Sequence, residues 1–243
     1  MKRKKFWQWK NQSEEESGPR ILELYGTIAE ESWFDDDVTP KMFHDELFSG
    51  KGEVIIWINS PGGDCIAASR IYAMLMDYKD HITIKIDGIA ASAASVIAMA
   101  GTKVQMVPTS LMMIHNPMTI AYGNHQDMQK AIGMLEEVKE SIINAYEIKT
   151  QLSRTRLAHL MDSETWMNAN KAIELGFADS ILEDAKKGPT LEAYSFSPKG
   201  TQLSLLNKIN DKYAEQEEIP EPVTGLTSEF LELEKRLHLI KPQ

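Results

Sequence analysis

The run Gly88-Ile89-Ala90-Ala91-Ser92-Ala93-Ala94-Ser95 constrains this chain more than any other stretch. Ahead of it, Ile82, Ile84 and Ile86 alternate with other residues, the period of a strand with one buried face. Behind it, Val96-Ile97-Ala98-Met99-Ala100-Gly101 is a small, apolar run that reads as helix. Only Gly and Ala flank Ser92, so a sharp strand-to-helix turn meets no bulky side chain. A serine at the tip of such a turn faces a substrate backbone at close range. The N–H that follows it points at an oxygen on which charge develops during acyl transfer.

Two more segments supply the partners that this chemistry needs. Ile58-Asn59-Ser60-Pro61-Gly62-Gly63 closes an upstream strand with a glycine pair, and Met113-Ile114-His115-Asn116-Pro117 ends a downstream apolar run on a histidine. Nucleophile, base and backbone donors are the parts of a serine hydrolase. Ser95 is the nearest rival to Ser92 as nucleophile. It falls one turn into the helix, where a hydroxyl packs or bonds back to the preceding turn. His44, His81, His125, His159 and His238 have no comparable surroundings in sequence.

These blocks resemble those of the Clp protease family, the ClpP peptidase and its phage-encoded head-maturation relatives. The resemblance runs from Arg20 to Glu183. It rests on 58–63, 88–101, 108–117 and the closing Ala172-Ile173-Glu174-Leu175-Gly176-Phe177-Ala178-Asp179, in the family's order. It implies an α/β, crotonase-like fold of repeated β-β-α units with a protruding long helix. It makes Ser92 the nucleophile and His115 the base, and it draws the oxyanion donors from the N–H groups of Gly63 and Ala93, with Gly62 allowing close approach. The family's acid precedes an aromatic residue, which puts Glu164 of Asp162-Ser163-Glu164-Thr165-Trp166 in that place. The family uses Asp there, so Glu164 is a departure, and Asp162 is the alternative acid, with Asp179 a distant third. The segment between Gly101 and Pro108 is a second departure, shorter than in many family members.

The resemblance also implies protein or peptide substrates laid along the active-site edge as an added strand, and a homo-oligomeric ring, a heptamer, single or stacked. It implies no cofactor. The short turn and the residues after Glu183 look like the relatives that mature phage capsids or scaffolds in the host cytoplasm. A housekeeping peptidase fed by an AAA+ unfoldase, and a non-catalytic scaffold of the same fold, are the other readings. A crotonase-type acyl-CoA enzyme, and a Ser-Lys peptidase using Lys85 or Lys103, complete the set.

Composition narrows the field. A formal net charge of −10 argues against a nucleic-acid surface, which needs clustered Lys and Arg. The single cysteine, Cys65, excludes an internal disulfide and a cysteine-built zinc site, and it reads as a buried structural thiol. No apolar run is long enough to span a bilayer. Along the chain, 1–19 reads as a basic-then-acidic tail, 20–183 as the peptidase domain and 184–243 as linkers with short amphipathic helices. Within the domain the pattern predicts strands at 21–26, 53–58, 82–86, 104–107 and 111–114. It predicts helices at 42–48, 65–78, 126–150, 154–161 and 168–175, after the small one that follows Ser92. The first long helix carries Ile66, Ser69, Ala73 and Met76 at helical spacing, and the second carries Met128, Ile132, Leu135, Val138, Ile142 and Tyr146.

Overall fold

A computed structural model describes residues 5–10, 18–28 and 40–182. Most of the N-terminal tail, the acidic loop near Asp36 and the whole 184–243 extension lie outside the described residues. Eight strands and six helices alternate through the rest. The strands are β1 (Trp7–Trp9), β2 (Arg20–Tyr25), β3 (Val54–Ser60), β4 (Ile82–Ala91), β5 (Lys103–Met106), β6 (Leu111–Ile114), β7 (Thr165–Asn168) and β8 (Ser180–Ile181). The helices are α1 (Pro40–Phe48), α2 (Cys65–Asp77), α3 (Ala93–Ala98), α4 (His125–Thr150), α5 (Arg154–Asp162) and α6 (Ala169–Glu174).

The sheet runs β1-β2-β3-β4-β5-β8, and β4 is its organising strand. β3 lies parallel along one side of β4, with a register shift between Ile58 and Ser60. On the other side β4 changes partner. Thr83–Ile86 pairs with β5, and Ile89–Ala91 pairs with β6. The strand therefore continues past Ile86 through Gly88 and ends one residue before Ser92. Val54, Ile56 and Ile58 stand beside Ile82, Ile84 and Ile86 in register, and all six are buried.

The helices cover that apolar face. α2 is capped by Asp64, whose carboxylate accepts from the Ala67 N–H, and it buries Ala67, Ala68, Ile71, Met74 and Leu75. The spacing of Ile66 and Met76 marked the other side of this helix as the core stripe. Both residues are exposed, because the face that carries Ile71, Met74 and Leu75 is the one that packs into the core. Cys65 opens α2 and is half-buried rather than enclosed. α4 starts in a capping box of Asn124 and Asp127 and ends at Gln151 in the left-handed region. Its buried residues, Ile142, Ile143, Ala145 and Tyr146, all lie in its C-terminal half. Ile132 of the expected stripe is exposed.

Trp7–Trp9, placed by sequence in the tail, forms β1 antiparallel to β2. Side-chain anchors hold it. The Trp7 indole N–H donates to Glu46 at 2.8 Å, and the Arg20 guanidinium lies 4.3 Å over the Trp9 ring. On β2 and β4, the Tyr25 hydroxyl donates to Asp87 at 2.7 Å. Burial pushes the Asp87 carboxyl up to about 6.

Candidate active site

The chain turns abruptly at Ser92. Its backbone sits at φ 54° and ψ −125°, on the positive-φ side that a residue with a Cβ rarely adopts. Hydrogen bonds hold it there. The Ser92 N–H donates to the Met113 carbonyl at 2.8 Å, which ties the turn to β6. The Ser92 carbonyl accepts from the Ser95 N–H at 2.9 Å and from the Ser95 hydroxyl at 2.6 Å. Ser95 is fully buried, and its Oγ lies 2.8 Å from the Tyr146 hydroxyl on α4. Ser95 thus faces the core, while the Ser92 side chain faces outward.

β6 delivers the histidine. It runs parallel to the end of β4 with Ala91 opposite Met113, so Ser92 comes one residue and His115 two residues beyond that pair. His115 Nε2 lies 2.7 Å from Ser92 Oγ. Burial depresses the imidazole pKa below its ordinary value, and the Glu164 charge opposes that only in part. A neutral imidazole at this distance is able to accept the hydroxyl proton.

The glycine pair closes the other wall. Gly62 has φ 95°, and a Cβ there would come within 2.6 Å of the Ala91 carbonyl oxygen and 2.7 Å of Ser92 Cβ. Gly63 has φ 145°, and its Cβ would fall 1.8 Å from the Ile28 carbonyl oxygen. The Gly62 N–H is engaged by Ser60 Oγ at 3.1 Å. The N–H groups of Gly63 and Ala93 have no acceptor among the described residues, so these two donors remain for an incoming oxygen.

The acidic candidates separate clearly. β7 pairs antiparallel with β6, Met113 opposite Trp166 and Ile114 opposite Thr165. The pairing ends there, with Glu164 just before Thr165 and His115 just after Ile114; no hydrogen bond or ion pair joins the two side chains, and the Glu164 charge reaches His115 through space. Glu164 has φ 45° at the turn out of α5, and its Oε1 accepts from the Trp166 indole N–H at 3.1 Å. Asp162 ends α5 and is bound elsewhere, by Lys139 Nζ at 2.5 Å and Asn116 Nδ2 at 2.9 Å. Those two donors hold its carboxyl below the usual range. Asp179 accepts from the Val104 N–H and from Lys149, clamping β5 to the turn before β8. Of the alternative lysine bases, Lys85 lies 5.2 Å over the Trp57 ring. Among the described residues no cluster of three or more His, Cys, Asp or Glu is placed to hold a metal.

Sequence reading did not single out Tyr146 or Trp166 as parts of the site. Tyr146 was visible only as one position of an apolar stripe, and Trp166 only as the aromatic residue after the acid.

A family model described as Clp protease matches residues 8–185, nearly three quarters of the chain. The chain belongs to the Clp protease family. Among curated proteins it is 31% identical over 148 residues to the ATP-dependent Clp protease proteolytic subunit of Porphyromonas gingivalis, spanning 60% of this chain and 66% of that one. It is 27% identical over 172 residues to the proteolytic subunit 2 of Treponema denticola, spanning 70% and 85%. With subunit 1 of Chlamydia muridarum it shares 31% over 147 residues, spanning 58% and 76%. The mixed α/β architecture, with its sheet of eight strands, agrees with this Clp protease fold. Among the described residues, no helix is long and apolar enough to cross a membrane.

Proposed function

We propose that this chain is a serine endopeptidase that cleaves proteins through an acyl-enzyme. The observation that carries the reading is the 2.7 Å approach of His115 Nε2 to Ser92 Oγ on a strained turn. His115 takes the Ser92 proton as Oγ attacks the scissile carbonyl carbon. The oxygen that gains charge lies against the Gly63 and Ala93 N–H groups. His115 then returns the proton to the departing amine, and a water repeats the sequence on the ester. Glu164 orients His115 from Nδ1, and the substrate lies as an extended strand along the site.

The names of the relatives, proteolytic subunits of ATP-dependent proteases, support a peptidase that works within an assembly. Ile132, Met134 and Ile148 of α4 are exposed, apolar surface that a neighbouring subunit would cover. We assign the chain to a cyclic homo-oligomer, a heptameric ring, single or stacked. For its setting, the short turn between Gly101 and Pro108 supports maturation of phage capsid or scaffold proteins in the host cytoplasm. The relatives' names support the second reading, a peptidase fed by an AAA+ unfoldase. Ser92→Ala and His115→Ala are expected to abolish hydrolysis and fluorophosphonate labelling, with losses on the order of a millionfold in kcat for such residues. Labelling that survives Ser92→Ala sinks the reading. Light scattering of the full chain tests the ring, and degradation of a folded substrate with and without an added AAA+ ATPase separates the settings.

A further inference from the structure

The acid of the proposed triad differs from the family's in length, and the structure places an indole donor beside it. A glutamate has one more rotatable bond than an aspartate and loses more rotamer freedom when it is fixed. Glu164 is exposed, so packing does not fix its carboxylate. The Trp166 indole does reach it. Trp166 stands opposite Met113 on the neighbouring strand, and Glu164 lies at the turn just before β7. The indole Nε1–H donates to Glu164 Oε1 at 3.1 Å. The Glu164 backbone is itself held, its N–H on the Met161 carbonyl at 3.1 Å and its φ at 45°. No hydrogen bond or ion pair joins Glu164 to His115 in this structure; among the described residues the second oxygen of Glu164 and His115 Nδ1 each make no other hydrogen bond, and the Glu164 charge acts on the imidazole through space.

We propose that Trp166 is a positioning residue for the catalytic acid: its indole N–H fixes one oxygen of Glu164 so that the other is presented to His115 Nδ1. Burial does not account for this side chain, which is 38% exposed. A phenylalanine would serve equally well as a ring and would lack the donor. The longer acid and the donor beside it form one device, in which the N–H supplies the restraint that a shorter side chain has built in. The inference rests on the reading of Ser92, His115 and Glu164 as a triad.

The test is a cycle of variants in the full chain, read by the kinetics of fluorophosphonate labelling. Trp166→Phe is expected to lower the maximal labelling rate about tenfold, the scale of a hydrogen bond to a charged group, with the half-saturating probe concentration unchanged. Glu164→Ala is expected to lower that rate further. Trp166→Phe added to Glu164→Ala is expected to do nothing more, because the group it positions is gone. If Trp166→Phe labels at the wild-type rate, or lowers it equally in both backgrounds, Trp166 does not act through Glu164 and the proposal fails while the triad stands. If Glu164→Ala itself labels at the wild-type rate, the acid was misassigned and both readings fall.

Discussion

Ser95→Ala tests how the strained turn at Ser92 is held, and proton accounting sets the magnitude. The Ser95 hydroxyl has one proton, and the Ser92 carbonyl, 2.6 Å away, has none to give. That proton therefore goes to Ser92, and the Tyr146 hydroxyl donates to Ser95 Oγ across 2.8 Å. Ser95→Ala removes both bonds and strands the Tyr146 O–H in the core, where only 1% of the residue is exposed. A stranded buried donor costs about 1–3 kcal/mol, against about 1 kcal/mol for a bond lost without an orphan. We expect Ser95→Ala to lower stability by about 2–3 kcal/mol and Tyr146→Phe by about 1 kcal/mol. The double variant should lose only about 1–2 kcal/mol, less than the sum, because it contains no orphan. Denaturant unfolding at a fixed protein concentration reads the stability. Fluorophosphonate labelling should be slowed in Ser95→Ala as the turn at φ 54° relaxes. Strictly additive losses, or a Ser95→Ala protein as stable and reactive as the wild type, would refute the reasoning.

Three further outcomes follow from the geometry. Because burial depresses His115, labelling should rise with pH through a midpoint below the free imidazole value of about 6.5 and level off near neutrality. Glu164→Gln should move that midpoint lower still by removing the opposing charge, and a midpoint above 7 would contradict the assignment. Gly62→Ala places a Cβ 2.6 Å from the Ala91 carbonyl oxygen and should cut labelling by about a hundredfold, the effect of an ångström of misplacement; wild-type rates would show that the wall yields. Asp87 holds its proton up to about 6 in the fold, so the fold loses stability as pH rises from the ordinary carboxylate range through that value. Asp87→Asn keeps an acceptor for Tyr25 and should raise the melting temperature at pH 7 but not at pH 4, and an equal shift at both would refute the charge argument.

The parts of the site that sit at strand ends were legible in the sequence. Ser92 and His115 both follow apolar segments whose period announces them, and parallel pairing of β4 and β6 brings the two together. The acid was less legible. What brings the Glu164 turn near the end of β6 is β7, four residues that carry no period of their own and become a strand only because β6 offers them an edge. Pattern reading left those residues between two helices. α2 misled for a different reason: Ile66 and Met76 line one side and Ile71 and Leu75 another, so the sequence offers two apolar stripes, and only the sheet chooses between them. β1 was illegible because its anchors, Glu46 and Arg20, are distant in the chain or outside the strand.

The β6–β7 ladder also limits how the chain length between α5 and α6 is able to change. Side chains along an extended segment alternate sides. Trp166 and Asn168 are exposed on one side of β7, while Thr165 turns back to the Leu160 carbonyl and Met167 lies in the core. One residue inserted or deleted in this stretch exchanges the two sides and breaks the Trp166–Glu164 contact, or else strips Met167 from the core. Two residues restore the alternation. Length variation here is quantised in pairs, a parity rule that belongs to the ladder and not to the acid it carries.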